Sequence, residues 1–148
     1  MTAGAAPSEA CLFCRIIAGE VPAHVVLDSA DAFAFLDHRP VFKGHTLVVP
    51  RTHVVTLTDL PVPAIGPYFT EVQRVARAVV TGLEADGSFV AMNNVVSQAV
   101  AHLHVHVVPR RRKDGLRGFF WPRVKYDDDA EAARYAAAIA AALDAVAT

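Results

Sequence analysis

The sequence predicts an α+β domain, an antiparallel sheet with helices packed on it. Three observations lead there. Short β-rich runs follow one another across turn-length connections. One long stretch, 61–83, changes to an apolar period of three and four residues. Read along the chain, the order is helix, three strands, helix, two strands, helix.

Each element has its own local signal. Residues 11–19, CLFCRIIAG, read as a short helix ended by Gly19. HVVLD (24–28) and AFAFLD (32–37) are β-rich runs separated by a Ser-Ala-Asp turn. RPVFKG is a loop by its proline and glycine, and HTLVV (45–49) is a third strand stopped by Pro50. In 61–83 the residues Ile65, Phe69, Val72, Ala76, Val79 and Leu83 make one apolar helix face, and Asp86-Gly87 ends it. SFVAMN (88–93) returns to strand, a loop covers roughly 94–99, and VAHLHVHVV (100–108) is a strand closed by Pro109. The last helix covers about 128–146. Asp127 to Asp129 suit its positive N-terminal end, and Tyr135, Ile139, Leu143 and Val146 mark a buried stripe.

Composition narrows the function classes. A length of 148 residues is enough for one domain with a real core, so the expected organisation is a flexible tail over 1–10 and a single domain over 11–148. With 53% hydrophobic and 20% charged residues the chain reads as folded and soluble. It has no apolar run of about 18 residues that would span a membrane. The start, MTAGAAPSEA, lacks the basic and apolar regions of a secretory signal, and a cytoplasmic location is expected. A net charge of −1 argues against a nucleic-acid partner. The basic cluster Arg110 to Lys113 reads as a solvated loop, with phosphate binding left open by its place after the histidines.

Those histidines carry the chemistry. On a strand, His102, His104 and His106 share one face, and Leu103, Val105 and Val107 share the other, buried one. Three imidazoles in a row are poor core material, because each has two nitrogens needing partners. Two readings remain: a tri-histidine metal site, or a nucleophilic histidine flanked by supporting ones. Side chains on one strand face are rooted about 6.6–7 Å apart, so at most one of the three is expected to bind a metal. A neutral imidazole nucleophile suits phosphorus chemistry, where a covalent phospho-histidine splits one hard step into two easier ones. Donors nearby must then hold the charge on the phosphoryl oxygens.

Cys11 and Cys14 stand in C-x-x-C spacing with no secretion signal, which disfavours a structural disulfide. Two further ligands would complete a tetrahedral zinc site, and His53 and His102 form the pool. Two reduced cysteines packing the first helix are the alternative. A redox motif is a third reading, disfavoured because no strand precedes it.

The pattern His-φ-His-φ-His-φ-φ, with φ apolar, here reads His102-Leu103-His104-Val105-His106-Val107-Val108 and continues into Pro109-Arg110. Together with CLFCRIIAGEVPA at 11–23, AFLDHRP at 34–40 and KGHTLVVPRTH at 43–53, it makes the chain resemble the histidine triad, or HIT, family from residue 11 to about 123. Within that family it resembles the Hint-like branch of adenosine phosphoramidases.

The resemblance implies a five-stranded antiparallel sheet, a homodimer with one continuous ten-stranded sheet, and cleavage of the P–N bond of nucleoside 5′-phosphoramidates with release of AMP. It implies that His104 is the nucleophile and that His106 and His45 bind the α-phosphate or orient the nucleophile. Asp37 would bind the ribose hydroxyls, and Asn93 and Gln98 would lie near the phosphate and leaving group. His102 would join Cys11, Cys14 and His53 around a structural zinc. The loop before the triad departs from the family: Asn93-Asn94-Val95-Val96-Ser97-Gln98 is about two residues short, Ser97 replaces a glycine, and Ala99 replaces a serine. Trp121 and Arg123 are candidates for shaping the leaving-group pocket, and Phe119 and Phe120 for packing. Competing functions are a Fhit-type dinucleoside polyphosphate hydrolase and a nucleotide-binding partner protein with little turnover. An aprataxin-like DNA-repair role fits poorly.

Overall fold

The computed structural model describes residues 9–116 and 123–145. The chain divides into two compact units, residues 1–114 and 115–148. The first contains helix α1 (Leu12–Ile17), strands β1 (Val25–Asp28), β2 (Ala32–Leu36) and β3 (Thr46–Pro50), a 3-10 turn (Leu57–Asp59), helix α2 (Val62–Gly82), and strands β4 (Gly87–Ala91) and β5 (Val105–Arg110). The second contains helix α3 (Asp129–Ala145). The expected five-stranded sheet is present, in the order β1-β2-β3-β5-β4 with every neighbouring pair antiparallel.

Alternation along the strands sorts side chains onto two faces. Ala32, Ala34, Val48, Val105 and Val107 face α2 and pack with Tyr68, Val72, Val75 and Val79. Phe33, Phe35, Leu47 and Val49 pack instead with Cys11, Phe13, Cys14 and Ile16 at α1. The Tyr68 hydroxyl, buried against α2's face of the sheet, donates to the Val48 carbonyl at 2.7 Å. The short α1 stops before Gly19, whose φ of +79° suits a residue with no Cβ. Gly44, just before β3, has φ +100°, and a Cβ there would press on the Leu83 side chain.

Three expectations are corrected. The predicted strand 100–108 begins only at Val105. Its partner β3 ends in Pro50, which has no N–H for the ladder, and the Pro50 carbonyl is taken by the His102 ring. The Leu103 N–H turns instead to the Val54 carbonyl at 2.7 Å. Only His106 therefore lies on the strand, and His102 and His104 are buried rather than on an open face. On α2 the buried line runs through Tyr68, Val72, Val75 and Val79, while Ile65 and Leu83 are exposed. Phe69 and Ala76 form its partly buried shoulder, so two overlapping apolar stripes existed and periodicity picked the one beside the centre. On α3, Tyr135, Ile139 and Leu143 are exposed, not buried; Val146 lies outside the described residues, as do most of the predicted N-terminal tail and Phe119, Phe120 and Trp121. Arg123 is described and exposed.

No helix among the described residues is long and apolar enough to cross a membrane.

Candidate active site and metal centre

All three triad histidines gather on the α1 side of the sheet, and their hydrogen bonds differ. The His104 Nδ1 lies 2.7 Å from the His102 carbonyl oxygen. A carbonyl only accepts, so Nδ1 carries the proton and Nε2 keeps the in-plane lone pair. The ring is buried, with Phe13 packed edge-on at 5.1 Å between centroids.

His106 is set the other way round. The Val41 N–H donates to His45 Nδ1 at 3.1 Å, so His45 carries its proton on Nε2. That Nε2 lies 2.9 Å from His106 Nδ1 and donates to it. His106 must then hold its own proton on Nε2. Asp37 Oδ2 stands 3.7 Å from His45 Nδ1, too far for a hydrogen bond, which leaves the Val41 contact to decide the tautomer. Burial lowers the pKa of His45, against the opposing field of Asp37. Burial, reinforced by His104 and His45, pushes His106 down to about 4. Both rings are neutral near pH 7, as this donor chain requires.

His102 forms a second set. Its Nε2 donates to the Pro50 carbonyl at 2.9 Å, which turns the Nδ1 lone pair toward Cys11, Cys14 and His53. His102 Nδ1 is 3.5 Å from Cys11 Sγ, 3.6 Å from Cys14 Sγ and 3.1 Å from His53 Nδ1. Cys14 Sγ is 3.3 Å from His53 Nδ1. The four ligand atoms all lie within 4.8 Å of one another. Two thiol sulfurs and two imidazole nitrogens converging on one point make a donor set that fits a zinc ion. Of the triad, this group contains His102. Asp37, His45 and His106 form another group of close ligand atoms, in which both His45 nitrogens and His106 Nδ1 are engaged in the donor chain above.

Asp37 follows β2 and is mostly covered; its Oδ1 accepts the Arg39 N–H at 2.9 Å. Asn93 and Gln98 lie in the loop after β4. The Asn93 amide donates to the Ser97 carbonyl, and Gln98 accepts from the Val95 N–H and donates to the Val55 carbonyl at 2.6 Å. Among the described residues, these amide bonds go to the loop and to Val55 rather than to a histidine. Val95 and Ser97 adopt φ of +70° and +62°, in the region where glycine is favoured. The basic cluster after β5 is tied into its own turn: Arg110 pairs with Asp114, and Arg111 reaches the Leu83 carbonyl.

Sequence reasoning missed Phe13, the Val41 N–H and the Pro50 carbonyl. Only Phe13 left a sequence trace, as the aromatic between the two cysteines. Backbone groups have no such trace.

Known proteins are similar to this chain in sequence and fold. Residues 18–113 match the family described as HIT domain. An uncharacterised HIT-like protein of Mycobacterium tuberculosis is 41% identical over 124 residues, covering 82% of this chain and 86% of that protein. The adenosine 5′-monophosphoramidase HNT1 of Saccharomyces cerevisiae is 33% identical over 132 residues, covering 87% of this chain and 80% of that protein. The crystal structure of a Zn-bound histidine triad family protein from Mycobacterium smegmatis is 38% identical, with a TM-score of 0.68 over 93% of this chain and 98% of that one. With its sheet, its triad and these relatives taken together, the chain belongs to the HIT domain family.

Proposed function

We propose that the protein is a nucleotide hydrolase that cleaves the P–N bond of nucleoside 5′-phosphoramidates through a covalent nucleotidyl-histidine on His104. One observation carries this reading: the His102 carbonyl holds the His104 Nδ1–H and leaves Nε2 as the nucleophile. In the first step, Nε2 bonds to the α-phosphorus and the P–N bond breaks. The amine departs with a proton drawn from solvent. In the second step, water attacks the same phosphorus, the N–P bond to His104 breaks, and the nucleoside monophosphate leaves as the proton returns to solvent. The His106 Nε2–H, oriented through Val41 and His45, donates to a phosphoryl oxygen as charge builds there. Asp37 receives the ribose hydroxyls on its carboxylate oxygens. Asn93 and Gln98 face the phosphate and leaving group, a role for which Gln98 must exchange its present loop bonds.

Cys11, Cys14, His53 and His102 would hold zinc with four protein ligands. Bound there, zinc supplies a cross-link between three chain segments. The adenosine 5′-monophosphoramidase relative favours a purine nucleotide substrate. The resemblance to Hint-like proteins supports a single HIT domain over 11–148, a cytoplasmic homodimer with a ten-stranded sheet, and no membrane or nucleic-acid partner.

A turnover panel tests the reading: AMP- and GMP-derived phosphoramidates beside diadenosine polyphosphates, with intact-mass detection of the nucleotidyl adduct. We expect phosphoramidates to be preferred, and His104→Asn to lose both adduct and turnover, by about 10⁴-fold or more. Normal turnover by His104→Asn would refute the mechanism, and faster turnover of diadenosine polyphosphates would reassign the substrate.

A further inference from the structure

The Cys/His cluster and the nucleophile meet at shared residues. His102 contributes its ring to the cluster and its carbonyl to His104 Nδ1. Phe13 sits between Cys11 and Cys14 on α1. Its ring meets His104 edge-on at 5.1 Å and 87°, and His102 at 5.9 Å and 67°. The backbone beside the nucleophile is also fastened to the segment bearing His53: the Leu103 N–H reaches the Val54 carbonyl at 2.7 Å, and His102 Nε2 reaches the Pro50 carbonyl at 2.9 Å. Segments 11–14, 50–54 and 102–104 are thus joined within a few ångströms of the His104 ring.

With a cation present, the four donor atoms have one arrangement. Without it, the same segments meet there through contacts of 3.1–3.6 Å between two imidazoles and two thiols, which hold them less tightly than bonds to an ion. Loosening that junction would free the His102 carbonyl and the turn of α1 that carries Phe13.

We propose that the Cys11–Cys14–His53–His102 cluster positions the nucleophile: when it holds a metal, the His102 carbonyl and the Phe13 ring keep His104 in the Nδ1–H tautomer with Nε2 aimed for attack. His102 and Phe13 are positioning residues in this scheme. It rests on the reading of His104 as nucleophile.

The test compares full-length protein loaded with Zn²⁺, stripped by a chelator, and reloaded. Long-range ¹H–¹⁵N spectra of the imidazoles report the His104 tautomer and need no substrate. A single Nδ1–H form is expected with Zn²⁺, a mixture after stripping, and recovery on reloading. In single-turnover experiments the stripped protein should form the nucleotidyl adduct about 10-fold or more slowly, with a smaller change in KM. Phe13→Leu, which leaves all four ligands in place, should keep its zinc and still slow adduct formation. An unchanged tautomer in stripped, folded protein overturns the proposal. So does global unfolding on stripping, since the metal would then hold the whole fold rather than the nucleophile. If the tautomer follows Zn²⁺ while no phosphoramidate yields an adduct, the positioning stands and the proposed reaction falls.

Discussion

His102 and His106 each stand two residues from His104, yet the fold engages opposite nitrogens of their two rings. His102 spends its Nε2–H on the Pro50 carbonyl and turns Nδ1 toward Cys11, Cys14 and His53. His106 accepts a hydrogen bond at Nδ1 from the His45 Nε2–H and offers an Nε2–H. One becomes a lone-pair donor and the other a hydrogen-bond donor. The residue type is the same, and what separates them is the backbone group that each side reaches: a carbonyl at Pro50, an N–H at Val41. A histidine's role is decided by the partner of its other nitrogen.

The largest effect is expected at the His102 end. Cys14→Ser should abolish tight zinc binding and lower the unfolding temperature by roughly 5–10 °C. Metal analysis and a thermal melt check both, and undiminished zinc in the variant would remove Cys14 from the ligand set. At the other end, His45→Leu leaves His106 Nδ1 without its donor. We expect kcat to fall roughly 10–100-fold with little change in KM; an unaltered kcat would show that His106 keeps its tautomer unaided.

A milder probe is pH. Burial depresses His106 to about 4 from its ordinary 6.5, so the unfolded chain binds this proton more readily than the native one. Stability should therefore fall as pH drops from about 6.5 toward about 4. Urea midpoints at pH 7 and pH 5 measure the loss, and His106→Gln should flatten the slope. An unaltered slope in that variant would assign the pH dependence to other groups. The smallest effect lies in the loop that carries Gln98. Val95→Gly relieves a left-handed β-branched residue while loosening the unfolded chain, and we expect a gain of about 1 kcal/mol or less by urea denaturation. A loss would mean that the exposed valine contributes packing there.

Much of this was legible in the sequence. The β-rich runs AFAFLD and HTLVV predicted strands, and the long 3.6 period predicted α2. The spacing of side chains on one strand face already argued that His102, His104 and His106 could not share an ion. That reasoning assumed a strand that is absent at 102–104. The start of β5 was not legible, because it depends on a missing N–H at Pro50 and on where the Leu103 N–H finds a partner. Both are main-chain events settled by tertiary contact. The Val41 contact is invisible for the same reason. The buried line of α2 was missed because Ile65 and Leu83 are as apolar as Val75, and only the position of the sheet distinguishes them. The four-residue ligand set was suggested by residue chemistry and completed by family resemblance, since C-x-x-C alone does not say which histidines lie near.

Gly44 sets a limit on how this sequence can drift. It precedes His45, the ring that relays the Val41 N–H to His106. Its φ of +100° is one that L residues rarely adopt. The Leu83 side chain could swing aside for a Cβ, but the backbone would have to rotate, and His45 would turn with it. In a saturation-mutagenesis library, position 44 should thus be almost invariant among active clones, while the exposed Lys43 beside it varies freely.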